Sequence, residues 1–261
     1  MLKHCILSVD FSVDWDRILN YLPAIVPLMG VQQLTLVHVI ETFRRQHIHD
    51  NQAVVEGKLK ALASKISADL DLPVEVAVRR GFAASELLEA ARQHSADAVI
   101  TLNCSHSSSR EILRGNIALN LARMTRIPLL ILPLDGKTSE PDGLIMLATD
   151  GSASAHAAEA RFHDFMHKGH HGRVVWVDDD EHEDDEEAKR CLATISGQHA
   201  NARAQRLKGS PAQEVAKAAE HENATLLIIG KRGTTPIKEL LLGSTAEAIA
   251  REARRPVLLV P

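Results

Sequence analysis

The residues best suited to chemistry lie between Leu226 and Pro261. A short apolar run, Leu226-Leu227-Ile228-Ile229, breaks into Gly230-Lys231-Arg232-Gly233; Gly243-Ser244-Thr245 follows, and the segment closes on a second apolar run, Val257-Leu258-Leu259-Val260. Glycine lets a backbone approach an anion closely, and a hydroxyl pair at a helix entrance can cap it. The unpaired N–H groups of a helix N-terminus, aided by the helix dipole, attract phosphate. The spacing is Gly-x2-Gly-x9-Gly-Ser-Thr. It is neither the P-loop nor the dinucleotide-binding glycine pattern, so the chemistry it suggests is anion binding by a differently spaced loop.

These residues need strands and helices to position them, and the chain supplies both in alternation. Cys5 to Val9 reads as a strand ending in Asp10-Phe11-Ser12, followed by a helical pattern from about Val13 to Met29. A second strand spans Leu34 to Ile40, a helix Asn51 to Asp69, and a third strand Val74 to Val78, before Arg79-Arg80-Gly81 and a helix from Ala84 to Gln93. Ala98 to Leu102 is the fourth strand and Ile127 to Leu132 the fifth. Such alternation predicts right-handed crossovers and a parallel sheet covered by helices.

The second half repeats the first. Leu144 through Ser152 has the form of Cys5 through Ser12, and Gly209 lies 128 positions after Gly81. Gly115-Asn116 through Pro133 aligns without gaps onto Gly243-Ser244 through Pro261 at the same offset. A repeated offset predicts a duplicated α/β domain. The expected boundaries are 1–134 and 144–261, with a turn-rich linker over 135–143. Ligands in such sheets sit outside the carboxyl ends of the strands, where strand order reverses, which puts Asp150, the turn after Val177 and the Gly230 loop on one rim.

The glycine spacing, placed between a fourth and a last strand, resembles the ATP-binding signature of the universal stress protein family, and the likeness covers nearly the whole chain as a tandem two-domain member. That resemblance implies two Rossmann-like domains of the nucleotide alpha-hydrolase type, each a five-stranded, mainly parallel sheet flanked by helices. It implies Asp150 near base and ribose with Ala148 and Thr149 supplying backbone, and adenine contacts at Val177. It implies Gly230 and Gly233 against ribose and α-phosphate, and Gly243, Ser244 and Thr245 on the outer phosphates. Lys231 and Arg232 stand where they could neutralise phosphate or point to solvent. The implied ligand is ATP or another adenine nucleotide with Mg²⁺ or Mn²⁺, in a regulatory or stress-survival role. The family also implies pairing through last strands, so an intramolecular pseudo-dimer of the two domains is expected, with a homodimer as a further option.

The first half departs from the pattern. Asn103 and His106 stand in place of the two glycines in a loop taken as one residue shorter, and Asn116 follows Gly115 where a hydroxyl residue is expected. The first domain is therefore read as a degenerate copy with a structural role.

Other clusters carry weaker chemistry. Asp178 to Glu187 holds nine carboxylates and one histidine; it reads as a solvated loop leading into a helix, or as a recruiter of a hard divalent cation. His163 and His167 are one helical turn apart, with His170, His171 and His182 further on, so a shared transition metal is one reading and helix-end surface histidines the other. Two alternatives to nucleotide binding thus stay open: an interaction scaffold without nucleotide, and a metal-binding protein using these clusters. No general base or water-positioning residue stands out, so hydrolysis is expected to be slow or absent.

Composition narrows the field. With 45% apolar but only 3% aromatic residues, the core must be Leu, Ile, Val and Ala, as a helix-covered parallel sheet requires. A net charge of −4 with no basic tract gives no support to a nucleic-acid partner. No apolar run reaches the ~20 residues of a membrane span, and the opening Met1-Leu2-Lys3-His4 leads into a strand-like segment. The scattered cysteines, Cys5, Cys104 and Cys191, point to a reducing compartment. A cytoplasmic protein is expected.

Overall fold

The structure, a computed structural model, describes residues 2–11, 15–41, 51–103, 117–134, 143–178, 186–232 and 242–261. The chain divides into two compact units, Met1–Leu134 and Asp135–Pro261. The first contains β1 (His4–Ser8), a 3₁₀ helix (Trp15–Asn20), α1 (Leu22–Met29), β2 (Gln33–Ile40), α2 (Gln52–Leu70) and β3 (Val74–Arg80). It continues with α3 (Ala83–Gln93), β4 (Ala98–Asn103), α4 (Ile117–Met124) and β5 (Leu129–Pro133). The second contains β6 (Ile145–Ala148), α5 (His156–His167), β7 (Gly172–Asp178), α6 (Glu186–Gln198) and β8 (Ala202–Lys208). Then come α7 (Pro211–His221), β9 (Leu226–Gly230), α8 (Ser244–Glu252) and β10 (Val257–Val260).

Each unit is an α/β domain with a five-stranded parallel sheet. Strand order is β3-β2-β1-β4-β5 in the first and β10-β9-β6-β7-β8 in the second. Apolar runs form strands that are buried on both faces: every residue of β4, β5 and β10 is buried. β3 and β8, each at one end of its unit's sheet, instead carry Arg and Lys at exposed positions, which suits an edge strand.

Two expectations are corrected. The helix predicted from Val13 to Met29 is, over its described part, a 3₁₀ turn through Asn20 and a separate α1 with Pro23 in its first turn. Proline has no N–H to extend a preceding helix but is tolerated in a first turn, where that N–H would be unpaired, so α1 starts afresh with Pro23 in its first turn. The second correction concerns the glycine loop. Leu102 pairs with Leu132 on β5, and Gly230 pairs with Val260 on β10. Leu132 and Val260 are equivalent at the 128-residue offset, so Leu102, not Asn103, is the counterpart of Gly230, and the two loops have equal length. Asn103 instead matches Lys231, and both side chains are buried. Residues 104–116, including His106, Gly115 and Asn116, lie outside the described residues, as do 135–142 of the linker.

The offset also holds in backbone detail. Gly81 and Gly209 both adopt positive φ, 147° and 127°, after β3 and β8. Ser95 and Asn223 both enter the left-handed region after α3 and α7, with φ of 52° and 53°. Before β3 the offset fails, because Asp178 to Gly209 is ten residues shorter than Ile40 to Gly81.

Candidate functional site

In the second unit, β6 leads through α5 to β7 on one side, while β9 is its neighbour on the other. The crevice beyond the carboxyl ends of β6 and β9 is thus the place where strand order reverses. The residues singled out from the sequence sit around it. Ala148 ends β6 half-buried, Thr149 is buried and Asp150 half-buried. Val177 is buried near the end of β7, Gly230 ends β9, and Lys231 and Arg232 follow it. Gly243 caps α8, whose first residues, Ser244 and Thr245, are exposed. Gly233 lies outside the described residues, as do Asp179 to Asp185 of the acidic run and His182 with them.

Strand register gives Val177 its orientation. Ala148 is the last β6 residue paired with β7, opposite Val175, whose carbonyl accepts from Thr149 N–H at 3.1 Å. On the other side of β7, the carbonyl of Asp178 accepts from Gly209 N–H at 3.1 Å. Backbone groups alternate sides along a parallel strand, so the N–H and C=O of Val177 face the β6 side, beyond the end of that strand. A peptide edge there can read the edge of a planar base.

The loop after β6 is tightly bonded. Thr149 Oγ1 accepts from Gly151 N–H at 3.0 Å and donates to Glu159 Oε1 on α5 at 2.6 Å. Asp150 Oδ1 accepts from Ser152 N–H at 3.0 Å. Gly151 has φ of 72°, a conformation glycine adopts without a Cβ penalty. The Cys191 thiol on α6 donates to the same Glu159 oxygen at 3.1 Å. Burial, reinforced by the Glu159 carboxylate, pushes that thiol up to about 12.

On the other side of the crevice, Gly230 packs where a side chain would not fit without movement. A Cβ there would stand 3.1 Å from the Arg232 carbonyl oxygen and 3.4 Å from Ala155 Cα and Ser154 O, at the entrance to α5. Lys231 does not point to solvent: it is 4% exposed. Its N–H donates to Val260 O at 2.7 Å and its carbonyl accepts from Gly243 N–H at 3.0 Å. This clamp ties the end of β9 to β10 and to the start of α8. Gly243 has φ −63° and ψ 146°, so no special backbone conformation requires glycine there. Glu247 N–H makes the first intrahelical bond to Gly243 O, which leaves the N–H groups of Ser244, Thr245 and Ala246 directed out of the helix end.

Sequence reasoning missed several groups. Asp178 was read as part of the solvated acidic run, but it is 3% exposed. It is paired with Arg206, whose guanidinium lies 5.1 Å from the centre of the Trp176 ring. Its Oδ1 has no hydrogen-bond partner among the described residues. Glu159 and Cys191 carried no sequence signal, since they lie 32 residues apart and meet only when α5 and α6 pack.

The histidines also meet differently than their spacing suggested. His163 Nδ1 lies 2.6 Å from His199 Nε2, and the His167 ring packs edge-on to His199 at 5.0 Å. His170 packs against Phe165. Among the described residues, no three His, Cys, Asp or Glu side chains are grouped to hold a metal. Cys5 and Cys191 are free thiols. No described helix is long and apolar enough to cross a membrane.

Fold and rim together define a doubly wound α/β protein duplicated within one chain. The chain belongs to the universal stress protein family: the model of the family so described matches residues 1–133 and 164–261. The second match begins within α5, beyond Asp150. A universal stress protein of Methanocaldococcus jannaschii, MJ0577, is 42% identical over 52 residues, 20% of this chain and 32% of that protein. A Thermus aquaticus member is 43% identical over 54 residues, 21% of this chain and 39% of its own length. The chain therefore matches about a third of the length of these curated relatives. At the level of fold, a universal stress protein from Archaeoglobus fulgidus superposes with a TM-score of 0.79 at 20% identity, covering 98% of this chain and 95% of its own. A putative universal stress protein from Pseudomonas aeruginosa superposes with a TM-score of 0.70 at 13% identity, covering 99% and 93%.

Proposed function

We propose that the second unit binds ATP or another adenine nucleotide with Mg²⁺ or Mn²⁺, and that the chain serves as a cytoplasmic regulator or stress-survival factor with slow or no hydrolysis. The observation that carries this reading is the placement of the Gly-x2-Gly-x9-Gly-Ser-Thr residues: those described flank the point where strand order reverses. The Val177 peptide edge and Asp150 suit the base and ribose. Gly230 lets the β9 turn lie close, and the outward N–H groups of α8 suit phosphate oxygens. No general base or water-positioning residue stands out in the sequence, which favours binding over turnover.

Calorimetric titration of ATP with Mg²⁺ into wild type, Gly243→Val and Gly115→Val tests the proposal. Binding that is lost in Gly243→Val and retained in Gly115→Val is the expected result. A wild type that takes up no heat at millimolar ATP would remove the nucleotide reading and leave an interaction scaffold.

A further inference from the structure

We infer that Glu159 is a positioning residue of the second unit's ligand rim, holding the Thr149–Ser152 loop from the side of α5, with Cys191 acting as its hydrogen-bond donor rather than as a nucleophile. The inference rests on the nucleotide reading but comes from bonds that reading does not use.

The polarity of the network follows from its donors. A threonine hydroxyl has one proton, and a carboxylate has none to give. Because Thr149 Oγ1 already accepts from Gly151 N–H, its own proton goes to Glu159 Oε1, which also takes the Cys191 thiol proton. The chain of bonds runs from Gly151 N–H through the Thr149 hydroxyl to Glu159, with the thiol arriving from α6. Bonds to a charged acceptor are about twice as strong as neutral ones. The carboxylate therefore sets the rotamer of Thr149, and through it the left-handed turn at Gly151 that directs Asp150.

Two features separate this from the routine satisfaction of a half-buried acid. A single oxygen collects donors from the ligand loop ten residues before it and from α6 thirty-two residues after it, so Glu159 ties three segments together. The Cys191 thiol, with its proton held well above neutrality, is an inert donor, so its place in the network is structural and not reactive.

The test compares Glu159→Gln, Glu159→Leu, Cys191→Ser and Cys191→Ala with wild type by two measurements. Amide hydrogen exchange of residues 149–152 in the nucleotide-free protein needs no ligand. ATP–Mg²⁺ affinity is read by calorimetry. Glu159→Leu keeps the volume but removes the acceptor; exchange should speed up at Gly151 and Ser152 while β9 stays protected, and affinity should fall about tenfold or more. Glu159→Gln keeps one oxygen able to accept, and should restore both readouts to within about threefold. Cys191→Ser should match wild type, with Cys191→Ala between them.

If wild type binds ATP and Glu159→Leu binds equally well, the inference falls even if thermal stability drops. If wild type binds no ATP, the nucleotide reading fails on its own. The exchange data then decide the positioning role: unchanged protection at Gly151 in Glu159→Leu overturns it, and selective loss there upholds it for whatever ligand the rim takes.

Discussion

The two units share one backbone plan and hold their first loops by different means. In the second, the β6 exit is held from its side chains: Thr149 on Glu159, and Asp150 on Ser152 N–H. In the first, the equivalent of Thr149 is Val9, since Val9 N–H donates to Val37 O as Thr149 N–H does to Val175 O. Valine has no hydroxyl to offer. There the loop is held through its carbonyls, with the Trp15 indole on Ser8 O at 2.9 Å and the His38 imidazole on Val9 O at 2.7 Å. The left-handed residue two positions on is Gly151 in the second unit, but Phe11 with φ 52° in the first, its ring tilted against His38. The apolar Ile40 of the first unit stands where the second buries Asp178 beside Arg206, and Leu102 where the second has Gly230. The fold tolerates both solutions; at these positions the second unit has glycine and polar side chains where the first has apolar and aromatic ones.

Exchanging residues between the units should break or sharpen this contrast. The largest effect is expected from Gly230→Leu, which gives the second unit its sibling's residue. The added side chain must displace the turn at Ser154–Ala155 and the Arg232 carbonyl. It should lower stability by about 1–3 kcal/mol in urea denaturation. ATP affinity should fall about a hundredfold. Retained affinity would mean that close packing at Gly230 is irrelevant to the ligand.

A second difference should show in pH dependence. His199 is held below the ordinary imidazole value of 6.5, first by burial and then by His163 and His167. Its neutral form is the one the folded state favours, so the unfolded chain binds more protons as pH falls through the unfolded value. Its contribution is fully present above that value and is lost on acidification. Denaturation at pH 7.5 and 5.5 should therefore show a larger stability loss in wild type than in His199→Gln, and equal losses would refute the assignment.

A smaller effect separates the two glycines after β3 and β8. A Cβ at Gly81 would meet Glu86 at 3.0 Å, whereas at Gly209 it would meet Glu214 at 3.3 Å. Each change to alanine should cost about 1–2 kcal/mol for the left-handed backbone, with Gly81→Ala the costlier. Melting temperatures of the two variants check the order.

Smallest of all should be Asp178→Ile, which copies Ile40. The Arg206 side chain is 48% exposed, so water screens its pair with Asp178, and the buried Oδ1, which has no partner among the described residues, is relieved. Stability should change by less than about 1 kcal/mol. A loss of several kcal/mol would show that the pair is worth more than its exposure allows.

Much of this molecule could be read from local pattern. Alternating apolar strands and amphipathic helices specified two α/β halves, and the 128-residue offset exposed the duplication. The glycine spacing pointed to the β9–α8 rim because glycine and helix-entrance hydroxyls act through neighbours in sequence. Pairings between distant segments were not legible. Counting along the loop matched Asn103 with Gly230, and only strand register put Leu102 there. Helical spacing joined His163 to His167, whereas packing brought His163 to His199. Charge composition placed Asp178 in solvent, whereas the folded domain buries it at the end of β7 and pairs it with Arg206 of β8. Lys231 was read as neutralising phosphate or pointing to solvent, and the folded domain buries it. Periodicity records which face of an element turns inward; which side chain from another element it meets is set by register and helix placement, and those are decided when the whole domain packs.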